Sequence, residues 1–391
     1  MTKNLNISKA LILLLATACG VIVANIYYSQ TIIAPISNDV NMSLKTSGLI
    51  VTLTQLGYGI GLLFIVPLAD RYENKSLILL LIGLSIIGVI SLGLVDSSLL
   101  FLIMSFIVGV TAVAVQIIIP YTSHLVLPTI RGRVVGNVMS GLMLGIMLSR
   151  PLSSFITETV SWRAVFFLSA LIMLLLGITI WIFLPKRKSE SEITLSYIDI
   201  LKSMKQIVLT QPVLRRRCIY QIAMFGTFSL FWTTIPLLLL SPKFGFNQQD
   251  IALFALASVS GAIAAPIAGK MADQDKVKKC TMYSILIALF AFAITFFINF
   301  NSIISITILL ISAILVDFAS VSNLVLGQRE IFLLDSSLRS RINGIFMASF
   351  FIGGSITSSI GAWIYVNFGW DGVVITGILF PLLAFIYFLT E

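Results

Sequence analysis

The chain has 391 residues, of which 58% are hydrophobic and only 10% charged, with 25 Lys and Arg against 16 Asp and Glu for a net charge of +9. An ordinary soluble domain carries roughly twice that charged fraction, so a soluble globular protein with a charged skin is excluded. The apolar residues come in runs of roughly 20, the length a helix needs to cross a bilayer core, and the sequence therefore specifies an all-α integral membrane protein.

The first run, 9–36, is too long for a signal peptide, lacks a small-residue cleavage site and is followed by many equal runs, so it is expected to be the first membrane helix. Eleven more spans follow by hydrophobic patterning, at 47–69, 77–95, 99–121, 135–157, 164–184, 217–241, 250–270, 280–300, 303–327, 342–366 and 373–390. Most connections are very short, and only Asp96-Ser97-Ser98 separates the third helix from the fourth. Adjacent helices must then run antiparallel, and the loops alternate sides. With the N-terminus in the cytoplasm, 21 of the 25 Lys and Arg fall inside; Lys45, Arg163 and Lys243 fall outside, and Arg150 lies within a helix. The positive-inside rule selects this orientation, with both termini cytoplasmic. The asymmetry accounts for the basic charge without nucleic-acid binding.

Residues 185–213, opening Pro185-Lys-Arg-Lys-Ser-Glu-Ser-Glu, form the longest polar stretch and include a short amphipathic helix expected near 195–208. They divide the chain into two halves, 1–184 and 214–391, that echo each other. Arg131, Arg133, Gly136 and Met139 enter the fifth helix in the pattern R-x-R-x-x-G-x-x-M. Arg339, Arg341, Gly344 and Met347 enter the eleventh in the same pattern 208 residues later. Trp162 and Trp370 keep that offset. Pro67 and Asp70 are echoed by Pro266 and Asp273, and Pro35 by Pro236. Both halves start on the cytoplasmic side, so the expected architecture is twelve transmembrane helices as two parallel six-helix repeats.

Charge inside a bilayer is expensive and usually functional. Arg150 lies about 16 residues into the fifth helix and Asp317 about 15 into the tenth, each on the order of 20 Å from its starting surface at a rise of about 1.5 Å per residue. Asp317 is the candidate for proton coupling, the alternative being a structural hydrogen bond to a neighbouring helix. Arg150 is a candidate to bind an anionic group or pair with an acid, the alternative being a structural interhelix bond. A softer polar set comprises Asn25, Tyr28 and Gln30 in the first helix, Gln116 in the fourth, Gln221 and Trp232 in the seventh and Asn323 in the tenth; Asn25 and Tyr28, three apart, share a face. Gly141 and Gly145, four apart, permit close helix packing. No Walker A loop is present, which argues against ATP-driven pumping. His124 is the sole histidine, and Cys19, Cys218 and Cys280 have neither disulfide nor metal-ligand spacing. No nucleophile–base constellation exists, so no metal site, cofactor or enzyme activity is expected.

Pro67-Leu-Ala-Asp70-Arg71-Tyr-Glu-Asn-Lys75, after the second helix, resembles the G-x-L-A-D-R-x-G-R-K signature of the major facilitator superfamily, with Pro67 in place of a glycine and Glu73-Asn74 in place of Gly-Arg. Asp273 to Lys279 looks like a degenerate second copy. Asn25 to Gln30, Arg131 to Arg150, Asp317 to Ser320, Arg339 to Asn343 and Phe351 to Gly354 resemble a bacterial branch of arabinose-inducible efflux-like exporters. The branch's antiporter motif ends the fifth-helix glycine stretch in Gly-Pro, where this chain has Arg150-Pro151. The resemblance implies that the first, fourth, seventh and tenth helices line a central cavity. It also implies that Asp70, Arg71, Lys75 and Asp273 form a gating latch between halves, rather than ordinary charged turns. It further implies a monomeric transporter in the bacterial cytoplasmic (inner) membrane. The expected activity is secondary active transport of a small organic solute, by efflux in exchange for protons under the proton gradient. A proton-coupled importer or facilitator on the same fold is the alternative, and a non-transporting membrane sensor or enzyme a remote one.

Overall fold

A computed structural model describes residues 8–127, 130–186, 196–274, 276–298, 302–334 and 338–391. The side chains of Asp70, His124 and Asp273 lie outside the described set. Every element in it is helical. The first half contains α1 (Lys9–Thr31), the short α2 (Ile33–Asp39), α3 (Leu49–Phe64), α4 (Asn74–Leu94), α5 (Ser98–Ala112), α6 (Ala114–Leu125), α7 (Arg131–Thr159) and α8 (Trp162–Phe183). After the connecting helix α9 (Tyr197–Thr210) come α10 (Pro212–Leu239), α11 (Gln248–Ala255), α12 (Ser260–Asp273), α13 (Val277–Ala293), α14 (Ile303–Phe332) and α15 (Arg339–Phe388).

Among the described residues, ten helical stretches are long and apolar enough to cross a bilayer. Two departures from the sequence reading reduce the count from twelve. The run expected as one span at 250–270 is α11, of 8 residues, and α12, of 14, joined by a 3-10 turn over Leu256–Val259, and neither helix alone is long enough to cross. The spans expected at 342–366 and 373–390 form one helical stretch, α15, broken at Gly369 with φ 65° and ψ −162°. That backbone region is essentially closed to residues with a Cβ, so a glycine there turns the chain without a loop. The first span is likewise interrupted, at Ile32, and the fourth at Val113.

The outer surface is apolar. On α8, Leu168, Leu171, Leu175, Ile178 and Ile182 follow a helical repeat and are all exposed. Such a stripe would be an aggregation liability in water and is ordinary against lipid. The inner surface packs by close backbone approach. A Cβ on Gly145 would lie 2.1 Å from the Gly20 carbonyl oxygen, and one on Gly141 2.3 Å from that of Ala16. Small residues four apart thus let α1 and α7 touch backbone to backbone. Gly353, the residue 208 positions after Gly145, does the same between α15 and α10, where a Cβ would lie 2.9 Å from the Ile222 oxygen.

The pairings recur between halves. In the first, α1 packs on α7, α3 on α5 and α4 on α8; in the second, α10 packs on α15, α12 on α14 and α13 on α15. The end of the bundle that carries the connection between halves is here the linker end, and its opposite the far end. The helix α9 begins with a capping box in which Ser196 and Asp199 satisfy each other's backbone N–H. The Ser196 hydroxyl holds the Asp199 carboxyl below the usual range. The apolar face of α9, Ile200, Met204 and Ile207, is buried, and Met204 and Ile207 pack with Leu214, Ile342 and Phe346.

Candidate functional site

The candidate site lies where the two halves meet, on α1, α7, α10 and α14. Arg150 of α7 is 1% exposed, the second-largest fully buried side chain in the molecule. Its Nε donates to Oε1 of Gln30 on α1 at 2.8 Å. Its backbone carbonyl accepts from the Thr31 hydroxyl at 3.2 Å, so α1 holds both ends of the residue. The guanidinium carbon sits over three aromatic rings, 5.2 Å from the centre of Tyr27, 4.9 Å from Phe228 and 4.5 Å from Trp232. Cation–π contact of this kind is worth on the order of 0.5–2 kcal/mol per ring, most when desolvated.

Trp232 couples this cation to the opposite half. Its face carries Arg150, and its Nε1–H donates to Oδ1 of Asp317 on α14 at 2.7 Å. Asp317 is 3% exposed. The indole therefore stands between a buried cation of the first half and a buried carboxylate of the second. Among the described residues Arg150 makes no contact ion pair, its Nη2 has no hydrogen-bond partner, and neither has Nε2 of Gln30.

The other polar residues separate into smaller groups. Asn25 and Tyr28 share a face, as expected, but that face meets α8. The Asn25 Oδ1 accepts from the Ser169 hydroxyl at 2.7 Å, and its amide reaches the Met173 sulfur at 3.2 Å. Gln116 donates to the Tyr58 hydroxyl at 3.1 Å within the first half. Asn323 donates to Gln221 at 2.6 Å, a bond between α14 and α10 within the second half and nearer the linker end. Of the signature-loop residues, Arg71 is exposed and Lys75 donates to the Trp181 carbonyl at the end of α8 at 2.7 Å. Glu73 caps α4 by accepting from the Lys75 and Ser76 N–H groups.

The far end above the site is closed by bonds the sequence reading did not single out. Level with the site, on the linker side of Trp232, Gln55 of α3 exchanges hydrogen bonds with Ser229 of α10 at 3.0 and 3.1 Å. Thr52 pairs with Ser358 of α15 at 2.9 Å, and Glu158 of α7 accepts from the backbone N–H of Gln248 at 3.2 Å. Each joins one half to the other. Toward the linker end the site is covered by an aromatic layer: Tyr58 and Phe351, centroids 4.4 Å apart, meet across the halves, and Phe225 stacks on Phe228 at 5.1 Å. Beyond it lies an apolar groove of about 410 Å³ between α3, α9, α10 and α15, lined in part by Leu63, Met204, Leu214, Cys218 and Ile345. Tyr27, Phe228 and Gln55 are not among the site residues the sequence suggests, because aromatic residues and a lone glutamine in an apolar run carry no signal distinct from packing. Among the described residues no three His, Cys, Asp or Glu gather as metal ligands.

A bundle with a lipid-facing apolar surface, a repeated helix pairing and a buried charge on each side of the interface defines a polytopic membrane transporter. The profile of the Major Facilitator Superfamily matches residues 13–331, and the chain belongs to that superfamily. Similar relatives include the Uncharacterized transporter YgaY of Escherichia coli, 34% identical over 378 residues that cover 96% of this chain and 94% of that protein. The Uncharacterized MFS-type transporter YtbD of Bacillus subtilis is 25% identical over 383 residues, 94% of each. Among solved structures, a variant of the nucleoside transporter NupG superposes with a TM-score of 0.79 at 13% identity, covering 97% of this chain and 99% of that one. A bacterial homolog of the human lysosomal transporter Spinster, inward-facing and unoccupied, gives 0.77 at 14% identity over 97% of each chain. These last two share the fold. The chain is thus a secondary transporter of a small molecule across a membrane, not an enzyme.

Proposed function

We propose that this chain is a proton-coupled transporter of a small organic solute, working by alternating access between two parallel six-helix repeats, 1–184 and 214–391, joined by the connection 185–213. Twelve passes follow if α11 and α12 together make one crossing and Gly369 divides α15 into two. The observation that carries the reading is Trp232, held between Arg150 and Asp317. A rocking of one half against the other must change that arrangement, because Arg150 rides on the first half and Trp232 and Asp317 on the second. Proton gain or loss at Asp317 changes the charge that Arg150 feels through the indole. The closed far end and the aromatic layer toward the linker end supply the two barriers that alternate.

By the positive-inside rule the linker end faces the cytoplasm, with both termini there, in the cytoplasmic membrane of a bacterium. In this scheme Asp70, Arg71, Lys75 and Asp273 form the latch at the cytoplasmic face. Gln116, Gln221 and Asn323 line the path below the site, with Asn25 and Tyr28 supporting it where α1 meets α8. A monomer suffices, since two halves close one path. Exchange of solute for protons, hence efflux, is the coupling implied by the efflux-like branch that the sequence resembles; co-transport uses the same pair. Vesicles of opposite sidedness test the reading. Efflux by exchange requires solute accumulation in inside-out vesicles that collapses when the proton gradient is dissipated. Co-transport requires gradient-driven uptake in right-side-out vesicles. Gradient-independent flux in both would refute proton coupling.

A further inference from the structure

The central site holds two unmet hydrogen-bond donors, on two residues that are bonded to each other. The Arg150 Nε is satisfied by Gln30 Oε1, which brings the Gln30 amide against the guanidinium. Both Arg150 Nη2 and Gln30 Nε2 are buried without an acceptor, and their residues are 1% and 0% exposed. Leaving a buried charged donor unmet costs more than leaving a neutral one, so such atoms call for an explanation. The three aromatic rings, 4.5–5.2 Å from the guanidinium carbon, offer π-electron faces and no lone-pair acceptor for its N–H groups. Asp317 does not fill the gap, because its Oδ1 is engaged by Trp232 and it makes no contact ion pair with Arg150.

We infer that the substrate is a small organic monoanion, a carboxylate on an aromatic or apolar body. This rests on the reading of the central cluster as the transport site. A carboxylate offers two charged acceptor oxygens, enough to meet both Arg150 Nη2 and the Gln30 amide. A neutral ligand with donors alone leaves Nη2 unmet, and a cation is repelled. A dianion such as a phosphate ester is disfavoured because Arg150 is the only cation at the cluster among the described residues. Tyr27, Phe228 and Trp232, with Phe254 6.3 Å from the Trp232 ring, supply the apolar wall for the body.

The charges at the site then constrain the coupling. The groups facing Asp317 are Trp232 of α10, Arg150 of α7 and Tyr27 of α1, with Gly261 of α12 against its Cβ. With Asp317 ionised, one cation and one anion are already buried there, and a substrate anion makes the site net negative. With Asp317 protonated, the substrate anion replaces its charge. Proton and anion therefore occupy the site together and move in the same direction, with no net charge carried. The inference thus selects co-transport over exchange.

The test uses the purified full chain and three ring compounds that differ chiefly in charge: benzoate, benzamide and benzylamine. Thermal unfolding is followed at about 10 mM of each. Benzoate is expected to raise the melting temperature in a saturable way, benzamide, with a neutral carbonyl acceptor, to raise it less, and benzylamine to leave it unchanged. Arg150→Lys, which keeps the charge and loses the fork, is expected to weaken benzoate roughly tenfold or more. If Arg150→Lys does not fold, Gln30→Met, which removes the neighbouring donor at similar volume, is expected to weaken it as well. Equal or greater stabilisation by benzamide or benzylamine overturns the proposal. So does the absence of any shift across a panel of aromatic and aliphatic monocarboxylates, or undiminished benzoate binding in the variant that folds. Arg150-dependent benzoate binding with no gradient-driven flux would sink the transport reading and leave the site's ligand class standing. Gradient-driven flux of a neutral or cationic solute does the reverse.

Discussion

Arg150 and Asp317 are expected to sense each other through Trp232, and a double-mutant cycle measures how strongly. The guanidinium carbon is 4.5 Å from the indole centre, and Asp317 Oδ1 is 2.7 Å from the indole nitrogen. The two charges are then roughly 7 Å apart, and at an effective dielectric of about 20 they attract by about 2 kcal/mol. Arg150→Met removes the cation at similar volume and leaves a buried carboxylate uncompensated. Asp317→Asn keeps an acceptor for Trp232 and leaves the cation uncompensated. Each single change is expected to destabilise by about 1–3 kcal/mol, and the double change by about 2 kcal/mol less than their sum. Because removing both buried charges also removes their desolvation cost, the double variant is expected at the favourable end of that range, close to wild-type stability and above the less stable single variant. The assay is reversible unfolding in mixed micelles, with transport measured in parallel. A coupling energy below about 0.5 kcal/mol means the charges act independently and refutes the reasoning. Retained transport in the double variant refutes it as well.

Gly145→Val drives side-chain carbons into the Gly20 backbone, where even a Cβ would lie 2.1 Å from the carbonyl oxygen; a loss of about 1–3 kcal/mol is expected in the same unfolding assay, while Gly83→Ala, with open space around it, is expected to be neutral. Gly369→Ala forces a Cβ into φ 65°, ψ −162° and is expected to cost about 1–3 kcal/mol of stability, read as a lowered melting temperature. Thr52→Cys paired with Ser358→Cys, in a chain whose Cys19, Cys218 and Cys280 are replaced by serine, places thiols where hydroxyls now sit 2.9 Å apart. Oxidation is expected to abolish transport and reduction to restore it, since the far end would be held shut; full transport while cross-linked would show that these helices need not part.

Much of the site was legible as charge. Arg150 and Asp317 stood out because lipid tolerates so little charge, and Gln30 and Trp232 because they are polar groups on helices that the superfamily resemblance implies line a cavity. What the sequence could not show was grouping. Asn25 lies five residues from Gln30, which on a helix is more than a quarter turn away, so it meets Ser169 of α8 while Gln30 meets Arg150. Tyr27 and Phe228 read as ordinary core until Arg150 is found over their rings. Helix count was legible to within the interruptions. The breaks at Leu256–Val259 and Gly369 are local backbone choices inside apolar stretches, where hydropathy alone is blind. The 208-residue echo was the most informative sequence feature, since Gly145 and Gly353 turn out to make equivalent close approaches in the two halves.

Proton coupling through Asp317 is tested most directly in proteoliposomes loaded with the solute that the stability screen selects. Wild type and Asp317→Asn are compared in two modes, accumulation driven by an imposed pH gradient and equilibrium exchange with no gradient. The expected result is that Asp317→Asn loses gradient-driven accumulation and keeps exchange, because the two halves still rock around the site but no proton is carried. Accumulation in Asp317→Asn that follows the pH gradient as in the wild type contradicts the central claim.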